Sequence, residues 1–208
     1  MGLKKVSENA ALHRVEPREY PRDLAGLLAQ LGDSDTSARR WAARDLAAHP
    51  EGACVLCARL ADERDGSVRA VLFSSATQLG GTGVVLAMVE LLRSEDPGLR
   101  NGAIEVLASL PDDVAPQIDR LLHDSDGDVR IFTVNLLGDL RHPKVPQWLS
   151  QVLLHDQAVN VVGAALEVLV EVGLPETLPA LRAAKARFEG DDYISFSADL
   201  AIERIESA

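Results

Sequence analysis

Few side chains in this sequence have the types and spacing that chemistry requires. Cys54 and Cys57 form a C-x-x-C, a spacing used for zinc binding or thiol–disulfide exchange. A zinc centre needs a second Cys or His pair at matching spacing, and none is present. A redox pair usually opens a helix that follows a strand. This one falls inside a helical pattern, so both cysteines are read as packing residues. His123–Asp124 and His155–Asp156 carry metal-ligand types, and Asp124-Ser-Asp-Gly-Asp128 starts like a calcium loop. The twelfth loop position, where a bidentate Glu belongs, is Asn135. Gly80-Gly81-Thr82-Gly83 follows no strand, so it reads as a connector and flex point, not a phosphate cradle. No Ser/His/Asp set has a recognisable frame. No catalytic residue, metal or cofactor is expected, and the chain is not read as an enzyme.

The elements that hold these residues repeat. An Asp followed four positions later by Arg recurs at Asp35–Arg39, Asp65–Arg69, Asp96–Arg100 and Asp126–Arg130. Asp156–Asn160 keeps only the Asp, and Asp191–Ser195 is a degenerate sixth copy. Apolar columns agree in phase: Ala38, Val68, Leu99, Val129 and Val159 precede the Arg position, and Ala43, Phe73, Ile104, Val134 and Ala164 follow it by four. Each unit reads as two helices. An apolar run such as QIDRLL ends the first, and the Asp caps the second, where its carboxylate accepts from free N–H groups. Apolar spacing inside each run is helical, and prolines fall near the starts of first helices. The predicted pairs are 22–32/36–48, 51–62/66–80, 82–94/97–110, 112–124/127–140, 143–155/157–172 and 175–188/192–206. Residues 1–20 precede the pattern and are expected to be a mobile tail, with 21–208 a single stack. Counted from these aspartates, His123 lies three before Asp126 but His155 only one before Asp156, so the His–Asp pairs are read as ordinary turn residues.

The runs LLHDSDGDVRIFTVNLLGDL (121–140) and LLAQLGDSDTSARRWAARDLA (27–47) resemble HEAT repeats, in particular the short bacterial HEAT-like type found in phycobilisome lyases. The resemblance covers residues 22–206. It implies an all-α, right-handed superhelix of about six hairpins, with second helices lining the concave face. It also implies a ladder along the turns through Asp35, Arg39, Asp65, Arg69, Asp96, Arg100, Asp126, Arg130 and Asp156, interrupted at Asn160. The physics agrees: one hairpin cannot bury its apolar stripe, but stacked hairpins can.

Positions one and five past each Arg place Arg40, Arg44, Asn101, Glu105, Ile131, Asn135, Val161 and Ala165 on the concave face as candidate partner contacts. Ala70 and Ser74 complete the stripe. Ile131 and Val161 are out of place on a solvated face and mark a docking patch. The segment 158–173 is apolar almost all round, which reads as the centre of packing or as a seam between copies of the chain.

Charge narrows the partner. The net charge is −11, with −2 in residues 1–110 and −9 in residues 111–208. Nucleic acid and anionic membranes need Lys/Arg along the contact, so neither is expected. No apolar run is long enough to span a bilayer, and the N-terminus lacks the apolar core of a signal peptide, which points to the cytoplasm. Trp41 and Trp148 prompt comparison with HEAT-like DNA glycosylases, but no cationic groove accompanies them, and Trp41 reads as a core knob. One alternative is a HEAT-like metal-dependent oxygenase resembling the di-iron deoxyhypusine hydroxylases, which use repeated His-Glu pairs where this chain has two His-Asp pairs. The expected function is a non-enzymatic adaptor that binds another protein on its concave or C-terminal surface. The alternative implied by the resemblance is an accessory role in bilin attachment.

Overall fold

The computed structural model describes residues 19–207. The expected tail therefore lies outside the described residues, apart from Glu19 and Tyr20; the Tyr20 hydroxyl donates to Asp33 at 2.8 Å. Among the described residues there are twelve α-helices and no strand. They run as six hairpins: α1 (Leu24–Leu31) with α2 (Thr36–Asp45), α3 (Ala53–Asp62) with α4 (Gly66–Leu79), α5 (Gly81–Leu91) with α6 (Pro97–Ala108). α7 (Pro111–Leu122) pairs with α8 (Gly127–Asp139), α9 (Val145–His155) with α10 (Val159–Val172), and α11 (Leu178–Arg187) with α12 (Asp192–Glu206). The even-numbered helices stack on one another from α2 to α12, and the odd-numbered ones from α3 to α11. One continuous core runs through the stack, built from Leu, Val and Ala with Trp148 as its one large ring. Burying each Leu contributes about 2 kcal/mol, and the core contains many of them, so no large aromatic core is needed.

Local chemistry explains the helix starts. Asp35, Asp65, Asp96, Asp126 and Asp191 are N-caps whose carboxylates accept from backbone N–H groups two or three residues on. The Gly80–Gly81 junction is a tight link between two helices. Both residues have positive φ (60° and 81°), so α4 passes into α5 with one intervening residue. The Gly81 N–H then donates to Asp113 of α7 at 2.9 Å.

Repeat five sits two residues out of the expected register. Its second helix is capped at Ala158, not Asp156. Asp156 instead accepts the Ala158 N–H at 2.9 Å, the role that Asp124 plays for Asp126 at 3.0 Å. Asp33 does the same for Asp35, and Glu63 for Asp65. The cause is the longer link from α8 to α9, residues 140–144, against 109–110 between α6 and α7. In this register His123–Asp124 and His155–Asp156 are equivalent after all, and the position matching Arg130 is the buried Val162. Both pairs line one cleft of about 280 Å³. Their acids are already held by arginines, Asp124 by Arg93 and Asp156 by Arg130 at 2.7 Å.

The ladder along the turns also differs from the expected Asp–Arg pairing. Each Arg bonds a carbonyl of its own turn six residues back: Arg39 to Asp33, Arg69 to Glu63, Arg100 to Ser94, Arg130 to Asp124. Its other face reaches the next repeat. Arg69 meets Asp96 at 2.6 Å and Arg130 meets Asp156. Arg39, however, pairs with Glu63 at 2.8 Å and not with Asp65, which is occupied as a cap. Among the described residues Arg100 pairs with no carboxylate: it lies 5.2 Å over the Phe132 ring, while Arg93 takes Asp124. Repeat five has no Arg of its own. Arg187, at the end of α11, fills the gap by donating to the Leu153 and Asp156 carbonyls, both at 2.6 Å.

Glu63 is the most constrained ion in the stack. Its side chain is 1% exposed, and its two oxygens accept five N–H donors: two from Arg39, one from Arg59, and the backbone N–H of Arg64 and Asp65. The Arg39 hydrogen bonds chiefly hold its carboxyl well below the usual range, at about 2.

Candidate protein-binding face

The face to be tested is formed by the outward stripe of the even-numbered helices. The hairpin stack puts one such stripe on each helix, because positions one and five past the Arg site share a helix side. At the first repeat, Arg40 and Arg44 are exposed. The Arg44 guanidinium stacks 4.3 Å over the Trp41 ring. Trp41 is 48% exposed, so it is a surface platform and not the expected core knob. It lines a cavity with Tyr20, Gln30 and Asp33 on the outer side of α2. Trp148 does sit inside α9, buried and stacked on His142 with ring centres 4.9 Å apart.

In the middle of the stack the stripe opens into a groove of about 540 Å³ between α4 and α6. Ala70 and Ser74 form one wall, Asn101 and Glu105 the other. Phe73 makes the floor: its ring fills the space where a Cβ on residue 102 would stand, with the nearest ring atom 2.3 Å from that point. A side chain at position 102 would have to displace this ring.

Further on, part of the expected docking patch disappears. Asn135 is exposed, but Ile131 is half-buried against the core. Val161 and Ala165 are 1% and 0% exposed and offer nothing to a partner. The two-residue register slip turns them inward, and the positions that take their place are Gly163 and Glu167. Helix α12 then covers Gly163 with the Tyr193 ring, and the Tyr193 hydroxyl donates to Glu167 at 2.6 Å, which raises the Tyr193 pKa.

The apolar patch on this stripe lies one repeat later, and the sequence reading passed over it. Phe196 and Leu200, one and five past Ser195, are 68% and 44% exposed, and Tyr193 beside them is 47% exposed. The signal was available: the count applied to the other copies had only to be carried into the sixth.

Of the chemistry-bearing residues, Cys54 is exposed and Cys57 buried, and burial pushes the Cys57 thiol up to about 11. Among the described residues, no group of three or more His, Cys, Asp or Glu side chains is placed to hold a metal ion.

Comparison with known proteins matches this architecture. The HEAT repeats family matches residues 114–192. A bilin biosynthesis protein, PecE of Mastigocladus laminosus, is 31% identical over 152 residues, which is 71% of this chain. The chain is a HEAT-like repeat protein. It spans just over half (56%) of the length of the Mastigocladus relative. Similar solved structures include an archaeal HEAT-like repeats protein from Thermococcus onnurineus NA1, at 19% identity, covering 87% of this chain and 86% of that one with a TM-score of 0.40. Another is the complex of CpcE and CpcF of phycocyanin lyase from Nostoc sp. PCC7120, at 18% identity, 97% and 100% coverage and a TM-score of 0.36. No helix among the described residues is long and apolar enough to cross a membrane.

Proposed function

We propose that this HEAT-like chain is a non-enzymatic interaction module that binds another protein along the outward stripe of its even-numbered helices. The groove between α4 and α6 carries the reading. It is lined by small and polar side chains, Ala70, Ser74, Asn101 and Glu105, on a backbone fixed by capped helices and inter-repeat ion pairs. A surface already rigid before binding loses little ordering entropy when a partner docks. The candidate contacts are Arg40 and Arg44 at one end, then Asn101 and Glu105, then Asn135. The test is affinity capture from the native cell with the wild-type chain and with an Ala70→Arg, Ser74→Arg double variant. Loss of a specific protein from the variant, with unchanged helical circular dichroism, supports the reading. Equal capture by both chains overturns it.

A second reading has its own observation, the 31% identity to a bilin biosynthesis protein. On that reading the chain assists attachment of a bilin to an acceptor protein. Incubation with bilin and acceptor would then give a coloured covalent adduct that depends on this chain. A flat visible spectrum refutes it.

A further inference from the structure

The last helix carries a surface that the groove does not explain. On α12, residues 192, 196, 200 and 203 fall within one narrow side of the helix, with 193 at its edge. That side reads acid, aromatic, apolar, acid: Asp192, Phe196, Leu200, Glu203, with Tyr193 flanking. Phe196 is the most exposed large apolar side chain among the described residues. The matching position one repeat earlier, Gly163, lies under the Tyr193 ring of the next helix, whereas no described helix covers Phe196. On the side of α12 adjoining Asp192 and Glu203, Asp199 pairs with Lys185 and Glu206 with Arg182, both on α11 and both at 2.6 Å. The apolar residues are on the stripe that continues the binding face.

The surrounding charge selects the occupant. Asp192 and Glu203 are exposed and form no ion pair among the described residues. Glu167 of α10 accepts from Tyr193 at the stripe's edge. Arg204 is the cation at the stripe's edge, and residues 111–208 carry a net −9. Pairing this surface with a second copy about a two-fold axis would set these like charges together. An apolar anchor flanked by Lys or Arg would instead satisfy both the ring and the acids.

We propose that Tyr193, Phe196 and Leu200, between Asp192 and Glu203, form a docking site for a basic amphipathic helical segment of a partner protein. The proposal deepens the adaptor reading and rests on it. Apolar anchors of the segment cover Phe196 and Leu200, and its cations meet the two acids. Burial of an aromatic at the centre supplies most of such an affinity, while the acids set the sign of charge accepted and the rate of encounter.

The probe is a fluorescein-labelled amphipathic peptide of Lys and Leu, about 18 residues long so that it can form a helix, with a Glu-for-Lys counterpart. Fluorescence anisotropy with the full chain is expected to show binding of the basic peptide and none of the acidic one. Phe196→Asp is expected to weaken it about tenfold or more, and raising salt from about 50 to about 500 mM weakens it several-fold. Leu86→Asp, at an isolated exposed leucine on α5, is expected to change nothing and controls for attraction to net charge. Phe196 is exposed, so its variant keeps the fold, which circular dichroism verifies. Equal binding by the Phe196→Asp variant, equal binding of both peptides, or no binding of the basic peptide overturns the proposal. So does a concentration-dependent dimer, seen by sedimentation, that Phe196→Asp abolishes, since a second copy then owns the site. In any of those cases, continued loss of a captured protein from the Ala70→Arg, Ser74→Arg variant leaves the adaptor reading standing.

Discussion

Replacing Glu63 with Gln preserves the side chain's shape and removes its charge. Each oxygen of Glu63 faces only donors, five in all. An amide can supply one acceptor, but its NH2 must then point at guanidinium or backbone N–H groups, so at least two charge-assisted hydrogen bonds are lost. Such bonds contribute about 1.5–3 kcal/mol each, and Arg39 is left buried without its counter-ion. The pKa gives an independent figure. A carboxyl held at about 2 where the ordinary value is 4.5 contributes about 3 kcal/mol of stability at neutral pH. Because the folded value is the lower one, that stability is complete above about pH 5 and is lost as pH falls from there toward 2. Urea titrations followed by far-ultraviolet circular dichroism at a series of pH values check both. The Gln variant is expected to be about 3 kcal/mol less stable at pH 7, with the gap closing as the wild type acidifies toward pH 2. A loss under about 1 kcal/mol, or a gap that does not narrow in acid, would refute the claim that this ion pair clamps repeats one and two.

Other outcomes follow from the same geometry. Gly102→Ala drives a methyl into the Phe73 ring and is expected to cost about 1–3 kcal/mol, whereas Gly83→Ala, where a Cβ meets nothing within 4 Å, is expected to be neutral or better in the same urea assay. Arg187→Ala removes both bonds to the end of α9; limited proteolysis is expected to cut earliest between α10 and α12, with a stability loss of about 1–2 kcal/mol. Only Cys54 is expected to react with a thiol reagent at pH 8, because Cys57 is buried with its thiol pushed up to about 11; both react in urea.

The hairpin boundaries were legible because they depend on neighbours a few residues away. An Asp that can accept from the N–H groups two or three positions on, followed by apolar residues at helical spacing, specifies where a helix starts wherever it stands in the chain. Repeats one to four and six obey that rule, and their predicted starts lie within a few residues of those in the structure. Repeat five's predicted starts also lie within two residues, but its anchor was out of register because its capping position is Ala158. The anchor then slid to Asp156, although the shared Leu-Leu-His-Asp at 121–124 and 153–156 carried the true register. That slip moved Val161 and Ala165 onto the binding face on paper, and it hid Glu167.

The sequence by itself thus determined the period, the helices, the apolar faces that had to meet and the acidic bias of the second half. Only the tertiary structure decided which guanidinium reaches which acid, that Arg187 stands in for the arginine missing from repeat five, and that the exposed apolar patch is at Phe196 and Leu200. Helix and cap signals are local, and they repeat because each unit solves the same folding problem. Ion pairs between layers and the exposure of a side chain depend on what the next repeat brings to within a few ångströms, which a two-residue shift of register in one repeat is enough to alter.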